Sequence, residues 1–251
     1  MSSRPLALIT GASRRVGIAA AIAIHLANDG WDIATTYWLP YDENTPWGGD
    51  PAGATWLQEQ LAACGVKTTA VEADLSLVES SALVFDAVEE SVGPVTALVL
   101  AHCHGRNSSI LDTTVDSFDM HFAVNARASW LLVREFGQRF QAPPGRGRIV
   151  ALTSDHVAGN LPYGASKGAL DRIVLAAAEE FRDLGITANV INPGPTDTGW
   201  MTTQQIAEFT RQTPGGRPGR PEDCAKLVRF LCSEEGGWIN GQLLHSNGGL
   251  G

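Results

Sequence analysis

Short apolar runs alternate with longer segments of mixed apolar and polar residues along the whole chain. Runs such as ALVLA and IVALT are continuously apolar, which is typical of strands covered by helices on both faces. The segments between them repeat apolar residues at helical spacing. Strands are predicted at 5–10, 32–37, 67–72, 95–101, 147–153, 186–192 and 241–245. Helices are predicted at 16–29, 52–64, 77–92, 116–141, 162–184 and 221–233.

This alternation indicates an α/β fold. Strands separated by helices of this length form right-handed β-α-β units with parallel strands. We therefore expect one doubly wound, seven-stranded parallel sheet with helices on both faces. Ligands of such sheets bind beyond the carboxyl ends of the strands.

Two segments depart from the regular alternation. Residues 38–51 read as a long loop rich in Pro, Gly and aromatic residues, either an ordinary surface loop or a functional one. Residues 195–220 contain a short amphipathic piece, Gln204 to Gln212, with Gly and Pro on both sides. That second pattern suggests a hinged flap that excludes water from a site.

Composition narrows the class of protein. A chain of 251 residues with 44% hydrophobic content can bury one substantial core. Its net charge of −9 argues against a nucleic-acid or anionic-membrane partner. The four Cys show no CxxC pairing, no apolar run approaches the ~20 residues of a membrane span, and MSSRPLALIT passes directly into the first strand. We expect a cytoplasmic protein.

Tyr163, Lys167 and Ser154 form the most informative chemical pattern. Tyr163 and Lys167 stand four residues apart on a predicted helix, so phenol and ammonium lie on one face. A neighbouring cation should lower the Tyr163 pKa from about 10 toward the range used in acid–base catalysis. Ser154, nine residues before Tyr163, can hydrogen-bond the same substrate oxygen. The alternative is a helix with a surface lysine and a boundary tyrosine.

A second pattern lies near the N-terminus, where PLALIT, a turn and an apolar-faced helix follow one another. The backbone N–H groups and the dipole of a helix N-terminus favour an anion at such a turn. Gly11 and Gly17 allow close approach of a pyrophosphate and close packing of the helix.

Together these motifs resemble the short-chain dehydrogenase/reductase family, of the compact type that includes 3-oxoacyl-carrier-protein reductases. The resemblance covers nearly the whole chain. Its motifs are Thr10–Gly17, Ala73–Leu75, Val124–Asn125, Ser154 with Tyr163 and Lys167, Asn192–Thr198 and the C-terminal INGQLLHSNGG. It implies a single-domain Rossmann fold over residues 1–251, with residues 195–220 as a substrate lid.

The resemblance also implies residue roles. Tyr163 would exchange a proton with the substrate oxygen, Ser154 would orient that oxygen, and Lys167 would lower the Tyr163 pKa and hold the nicotinamide ribose. Asn125 would position a water that links Lys167 to solvent. The cofactor-binding residues would be Gly11, Ser13, Arg14, Arg15, Val16, Gly17, Thr36, Tyr37, Asp74, Leu75, Ala101, His102, Tyr163, Lys167, Pro193, Gly194, Thr196 and Thr198.

Three features depart from the family pattern. Arg15 replaces the middle glycine of the phosphate-binding loop, and Leu100-Ala101-His102-Cys103 replaces the family's NNAG. The interval from Ser154 to Tyr163 is shorter than is usual. We expect a trimmed loop there and a substrate pocket that is more open on that side.

Cofactor preference follows from the residues after the second strand. An NAD-preferring protein places a carboxylate there for the ribose 2′-hydroxyl, whereas this chain has none before Asp42. Arg14 and Arg15 are suited to a 2′-phosphate, and Thr36 can hydrogen-bond either group. NADP(H) is favoured over NAD(H); the alternative reading of this pair is an arginine that points into solvent.

The histidines give no metal site. His102 and His104 point the same way on a strand, and no third ligand is evident, so we expect them to line the cofactor ribose or the pocket wall. His156 faces either the substrate or solvent. His25, His121 and His245 are interpreted as structural.

The resulting hypothesis is an NADP(H)-dependent oxidoreductase that interconverts a ketone and a secondary alcohol. A 3-oxoacyl thioester, a sugar or polyol, and a polycyclic ketone all remain open as small-molecule substrates. The alternative is an inactive dinucleotide-binding sensor or scaffold. The resemblance further implies a homotetramer, with a dimer as the second option, built through helices 116–141 and 162–184 and through the C-terminal tail.

Overall fold

A computed structural model describes residues 4–46 and 48–250. Seven parallel strands form one sheet in the order β3-β2-β1-β4-β5-β6-β7. The strands are β1 (Leu6–Ile9), β2 (Asp32–Tyr37), β3 (Thr68–Glu72), β4 (Ala97–Leu100), β5 (Gly147–Leu152), β6 (Ile186–Asn192) and β7 (Leu243–His245). The α-helices are α1 (Ile18–Asn28), α2 (Leu39–Glu43), α3 (Gly53–Ala63), α4 (Ser80–Ser91), α5 (Val115–His121), α6 (Ala128–Arg139), α7 (Leu161–Glu180), α8 (Thr203–Gln212) and α9 (Pro221–Cys232).

The sheet is covered on both faces, as predicted from its continuously apolar strands. Side chains of α4, α6 and α7 form one buried cluster on one face. Side chains of α1, α3 and α9 form a second cluster on the other. The predicted doubly wound Rossmann fold is confirmed. Every helix within residues 4–46 and 48–250 is too short or too polar to cross a bilayer.

The predicted helix 116–141 corresponds to an unbroken helical segment from Val115 to Arg139, which contains one irregular turn. Between α5 and α6 the backbone forms a π-helical segment, Phe122–Arg127, which contains Asn125. A π-helical turn adds a residue to the turn and is frequent at functional sites. Helical spacing of apolar residues predicts the helix but does not reveal such a turn.

The predicted loop 38–51 contains the five-residue helix α2. The predicted amphipathic piece after β6 is the helix α8, which begins with a capping box between Thr202 and Gln205. A backbone bridge between Thr196 and Gly219 joins the two ends of the 195–220 segment that contains α8.

The strand order reverses between β1 and β4, which pair directly. A crevice forms beyond the carboxyl ends of the strands at such a point. The Thr10 hydroxyl binds the two loops there, since it accepts hydrogen bonds from the backbone N–H groups of Ala101 (3.1 Å) and His102 (3.3 Å).

Candidate active site

The turn after β1 is shaped for an anionic group. Gly11 has φ +77°, and a Cβ on it would lie 2.6 Å from the Cα of His102, so a side chain is excluded. Gly17 is the N-cap of α1, and neither a side-chain cap nor an acidic residue occupies its first turn. The first N–H groups of α1 are therefore suited to a pyrophosphate.

Both arginines of this turn contact protein groups. The Arg15 guanidinium donates two hydrogen bonds of 2.9 Å to the Asp50 carboxylate, and its backbone N–H donates a third of 3.1 Å. The Arg14 guanidinium donates to the backbone carbonyl of Thr198 at 2.7 Å. Arg14 thereby connects the phosphate-binding turn with the start of the predicted lid, and Val16 beside it is exposed.

Four of the predicted cofactor-binding residues, Thr36, Tyr37, Asp74 and Leu75, lie at the carboxyl ends of β2 and β3. Thr36 is buried, and its hydroxyl accepts a hydrogen bond from the backbone N–H of Gly11 at 3.3 Å. Ser13 accepts one from the backbone N–H of Trp38, the residue after Tyr37 (3.2 Å). The Asp74 carboxylate accepts one from the Ser76 N–H at 2.9 Å, and Leu75 is buried. The hydrogen bonds of Thr36 and Ser13 connect the turn after β1 with the end of β2.

His102, which we expect to line the cofactor ribose or the pocket wall, is buried among protein groups. Its Nε2–H donates to the Val124 carbonyl at 3.0 Å, and its Nδ1 therefore accepts from the Thr10 hydroxyl at 2.6 Å. Burial, with the nearby Lys167 ammonium, lowers the pKa of His102 to about 3. The ring is neutral at physiological pH and connects β1, β4 and the π-helical segment.

Asn125 is fully buried, and its amide is completely engaged. Its Oδ1 accepts from the His104 N–H at 2.7 Å, and its Nδ2 donates to the His104 carbonyl at 2.8 Å and the Ser166 hydroxyl at 2.9 Å. The amide therefore holds the backbone after β4 in place. That Asn125 positions a water stays a prediction.

Tyr163 and Lys167 lie in the first turns of α7, beside one another as predicted. The Lys167 ammonium is 5.8 Å from the centre of the Tyr163 ring and donates to the Leu152 carbonyl at 2.8 Å. The ammonium is buried, and burial lowers the pKa of Lys167. The end of β5 thus fixes the position of this cation.

The predicted lowering of the Tyr163 pKa is not found. Burial raises this pKa above its ordinary value, and the neighbouring Cys103 and Tyr41 raise it further. The reason is that the phenol is desolvated while the Lys167 ammonium is directed at a backbone carbonyl. Tyr163 is therefore a neutral phenol at physiological pH, the protonation state of a proton donor.

Ser154 follows β5, and the trimmed loop after it packs tightly on α7. The Ser154 hydroxyl accepts from the His156 N–H at 3.2 Å, which leaves its own proton to donate. A Cβ at Gly164 would lie 2.0 Å from the His156 carbonyl oxygen, so this short loop requires a glycine directly after Tyr163. The His156 side chain is exposed.

The end of β6 supplies the remaining predicted cofactor residues. Gly194 has φ +61° and approaches Asn247 so closely that a Cβ would lie 2.5 Å from the Asn247 Cβ. The Asn192 Nδ2 is buried and has no hydrogen-bond partner within residues 4–46 and 48–250. An orphaned donor beside Pro193 and Gly194 fits a polar group of a ligand at this position.

Sequence reasoning missed the contribution of Tyr41. Its hydroxyl donates to the Gly105 carbonyl at 3.2 Å and accepts from the Gly105 N–H at 3.0 Å. It also missed how the histidines are arranged: His104 lies between the Tyr41 and His121 rings, at centre distances of 5.2 and 4.6 Å. No local motif signals these contacts, because they join segments distant in the sequence.

The titratable side chains of the site do not form a metal centre. Among the residues that the structure describes, no group of three or more His, Cys, Asp or Glu side chains is placed to hold a metal ion. Instead, His121 is buried and accepts from the Arg106 N–H at 3.0 Å, consistent with its structural interpretation.

Residues 11–251 match a family model described as enoyl-(acyl carrier protein) reductase. An uncharacterized oxidoreductase, YjdA, of Bacillus subtilis is 35% identical, over 99% of this chain and 98% of its own length. An NADPH-dependent aldehyde reductase-like chloroplastic protein of Arabidopsis thaliana is 33% identical, over 97% and 93%.

A solved structure also resembles the chain closely. A blue fluorescent protein from a metagenomic library, in complex with NADPH, superposes with a TM-score of 0.86 at 30% identity over 99% of this chain and 98% of its own. The fold, the coverage of the family model and the names of these relatives agree. The chain belongs to the short-chain dehydrogenase/reductase family and is an oxidoreductase of the type that acts on CH–OH groups.

Proposed function

We propose that the protein is an NADPH-dependent carbonyl reductase in which Tyr163 donates the proton to the carbonyl oxygen. The observation that carries this proposal is the arrangement at the carboxyl edge of the sheet. Tyr163 and Lys167 lie 5.8 Å apart, ring centre to ammonium, on the helix that follows Ser154 and β5. The uncapped N-terminus of α1 lies at the same edge, since it follows β1.

Binding of the dinucleotide would use groups around the crevice. The N–H groups in the first turn of α1 would hold the pyrophosphate, and the 193–198 segment with the Asn192 amide would face the nicotinamide. Lys167 would hold the nicotinamide ribose. When bound, the reduced nicotinamide supplies a hydride to the carbonyl carbon.

Two side chains of the protein then act on the carbonyl oxygen. The Ser154 hydroxyl donates a hydrogen bond to that oxygen and so orients it. Tyr163, kept neutral by burial, transfers its proton as negative charge develops there. Because an alkoxide is a stronger base than a phenolate, a raised phenol pKa still permits this transfer and favours the reductive direction.

Preference for NADP(H) over NAD(H) is part of the proposal. Supporting it are the absence of a carboxylate at the end of β2, the two arginines of the turn, and the NADPH named for the Arabidopsis relative and the metagenomic structure. Arg15 is the better candidate for a 2′-phosphate. Its guanidinium already binds the Asp50 carboxylate through two hydrogen bonds, and a phosphate can be bound with the same geometry.

We also propose that the chain assembles as a homotetramer, with one interface on α5, α6 and α7. Phe118 and Trp130 are 37% and 48% exposed, which supports an apolar contact surface there. Val133 and Phe136, which also lie on the predicted helix 116–141, are instead buried in the subunit's own core. Sedimentation of the wild type should give four times the chain mass, and Trp130→Asp should give smaller species.

Turnover across a panel of carbonyls tests the proposed activity. Aldehydes, ketones and a 3-oxoacyl thioester should be offered with NADPH and, separately, with NADH. We expect oxidation of NADPH with at least one of these classes and slower oxidation of NADH. Tight NADPH binding without turnover anywhere in the panel would favour the alternative of an inactive sensor or scaffold.

A further inference from the structure

The loop after β4 passes close to the predicted proton donor. A Cβ added at Gly105 would lie 3.6 Å from Cδ2 of the Tyr163 ring and 3.8 Å from the Tyr41 hydroxyl, so this glycine lies between the two tyrosines. The gap beside the Tyr163 ring has room for about one methyl group. A displacement of the Gly105 backbone would therefore change the space available to that ring.

Two side chains hold this loop from different elements. The Asn125 amide, on the π-helical segment, binds both the N–H and the carbonyl of His104. The Tyr41 hydroxyl, on α2, binds both the N–H and the carbonyl of Gly105. Two adjacent residues thus each have their backbone N–H and carbonyl bound by one side chain.

Further contacts extend the hold from the 38–51 segment. The Arg106 guanidinium donates to the Asn44 carbonyl at 2.9 Å. The Tyr41 ring lies 5.2 Å from the His104 ring, centre to centre. Burial raises the pKa of Tyr41, so its hydroxyl stays protonated and can both donate and accept.

The same segment is anchored on the phosphate-binding turn. The Trp38 N–H donates to the Ser13 hydroxyl at 3.2 Å, before α2, and Asp50 pairs with Arg15 at the other end. Trp38 and Asp50 therefore attach the two ends of the segment to the turn after β1, while Tyr41 and Asn44 bind the loop after β4. A five-residue helix that merely filled a surface loop would not require both attachments.

We propose that Tyr41 is a positioning residue for Tyr163. It acts through Gly105 by fixing the loop after β4 against the ring of the proton donor. This inference rests on the proposed function of Tyr163 and adds a second tyrosine to the site. Tyr41 itself exchanges no proton with the substrate; it restricts the phenol to the geometry from which the proton is transferred.

Removal of the Tyr41 hydroxyl tests this role. Tyr41→Phe keeps the ring but loses both hydrogen bonds to Gly105. Thr45→Val is the matched control, because the Thr45 hydroxyl bonds to the Asp42 carbonyl within the same segment at 2.6 Å. We expect kcat of Tyr41→Phe to fall about ten-fold, since small displacements of a reacting group are costly, while its KM for NADPH changes less than about two-fold. Thr45→Val should retain the wild-type kcat.

Hydrogen exchange provides a readout that does not depend on turnover. Exchange at the Gly105 amide should accelerate in Tyr41→Phe but not in Thr45→Val, because the amide loses its acceptor only in the first variant. Wild-type kcat in Tyr41→Phe would overturn the inference, whatever its exchange rate. If the wild type reduces no carbonyl, the proposed function is refuted. Faster exchange at the Gly105 amide of Tyr41→Phe would still show, in that case, that Tyr41 binds Gly105.

Discussion

Asp50 binds Arg15 with the geometry that a phosphate would use. Two guanidinium hydrogen bonds and one backbone N–H converge on its carboxylate at 2.9–3.1 Å. The pairing lowers the pKa of Asp50, so the carboxylate is charged at physiological pH. If Arg15 holds the 2′-phosphate of NADPH, the two anions compete for it.

Asp50→Asn should therefore bind NADPH a few-fold more tightly and leave NADH affinity unchanged, because only the phosphate gains a released guanidinium. Dissociation constants by calorimetry measure this. Glu43→Gln, an exposed carboxylate of the same segment, controls for the change in net charge. Equal tightening of both dinucleotides would show that Arg15 does not contact the phosphate.

Cys103 is an exposed thiol next to the predicted site. It is close enough to Tyr163 and Lys167 to influence their pKa values. We expect alkylation by iodoacetamide to reduce turnover at least about ten-fold by obstructing the crevice, and NADPH to slow the modification. The buried Cys224 and Cys232 should stay unmodified, because burial raises the pKa of each to about 12.

Two variants identify the responsible thiol. Cys103→Ser should resist inactivation, while Cys64→Ser should remain sensitive. Inactivation of Cys103→Ser at the wild-type rate would place the sensitive thiol elsewhere.

The neutral His102 makes stability depend on pH. Its pKa is about 3 in the folded protein, below the ordinary value of about 6.5, so the unfolded chain binds the proton more readily. Its contribution is fully present above about pH 6.5 and is lost as pH falls toward 3. From pH 6.5 to 5 the free energy of unfolding should fall by roughly 2 kcal/mol on this account alone.

Urea unfolding of wild type and His102→Asn at both pH values isolates this effect. The lowered pKa values of His104 and His121 affect both proteins in the same direction. Any difference in how the free energy of unfolding of the two proteins changes between pH 6.5 and 5 is therefore due to His102. Parallel pH dependence of the two proteins would contradict the buried neutral assignment.

The fold was predictable because strands such as β1 (LALI) and β4 (ALVL) are short apolar runs between helical segments, and β-α-β handedness leaves few arrangements. The proximity of Tyr163 and Lys167 was predictable from helical spacing. The π-helical turn at Asn125 was not, because one extra residue in a turn leaves the apolar repeat almost unchanged. The raised Tyr163 pKa was missed because desolvation depends on tertiary packing around the phenol.

The contacts of the 38–51 segment were equally inaccessible from the sequence. Tyr41 and Gly105 are 64 positions apart, and Arg15 and Asp50 are 35 apart. Neither pair belongs to a spacing motif, and each forms only because β1, β2 and β4 are neighbours in the sheet.

The central claim is that Tyr163 delivers the proton, and a paired measurement on Tyr163→Phe tests it most directly. Steady-state turnover of the carbonyl identified in the panel and the dissociation constant of NADPH should be determined for wild type and variant. We predict a loss of kcat of at least about a hundred-fold, as for removal of a general acid, with NADPH affinity within about two-fold of wild type. Turnover of Tyr163→Phe at a rate near that of the wild type would contradict the account.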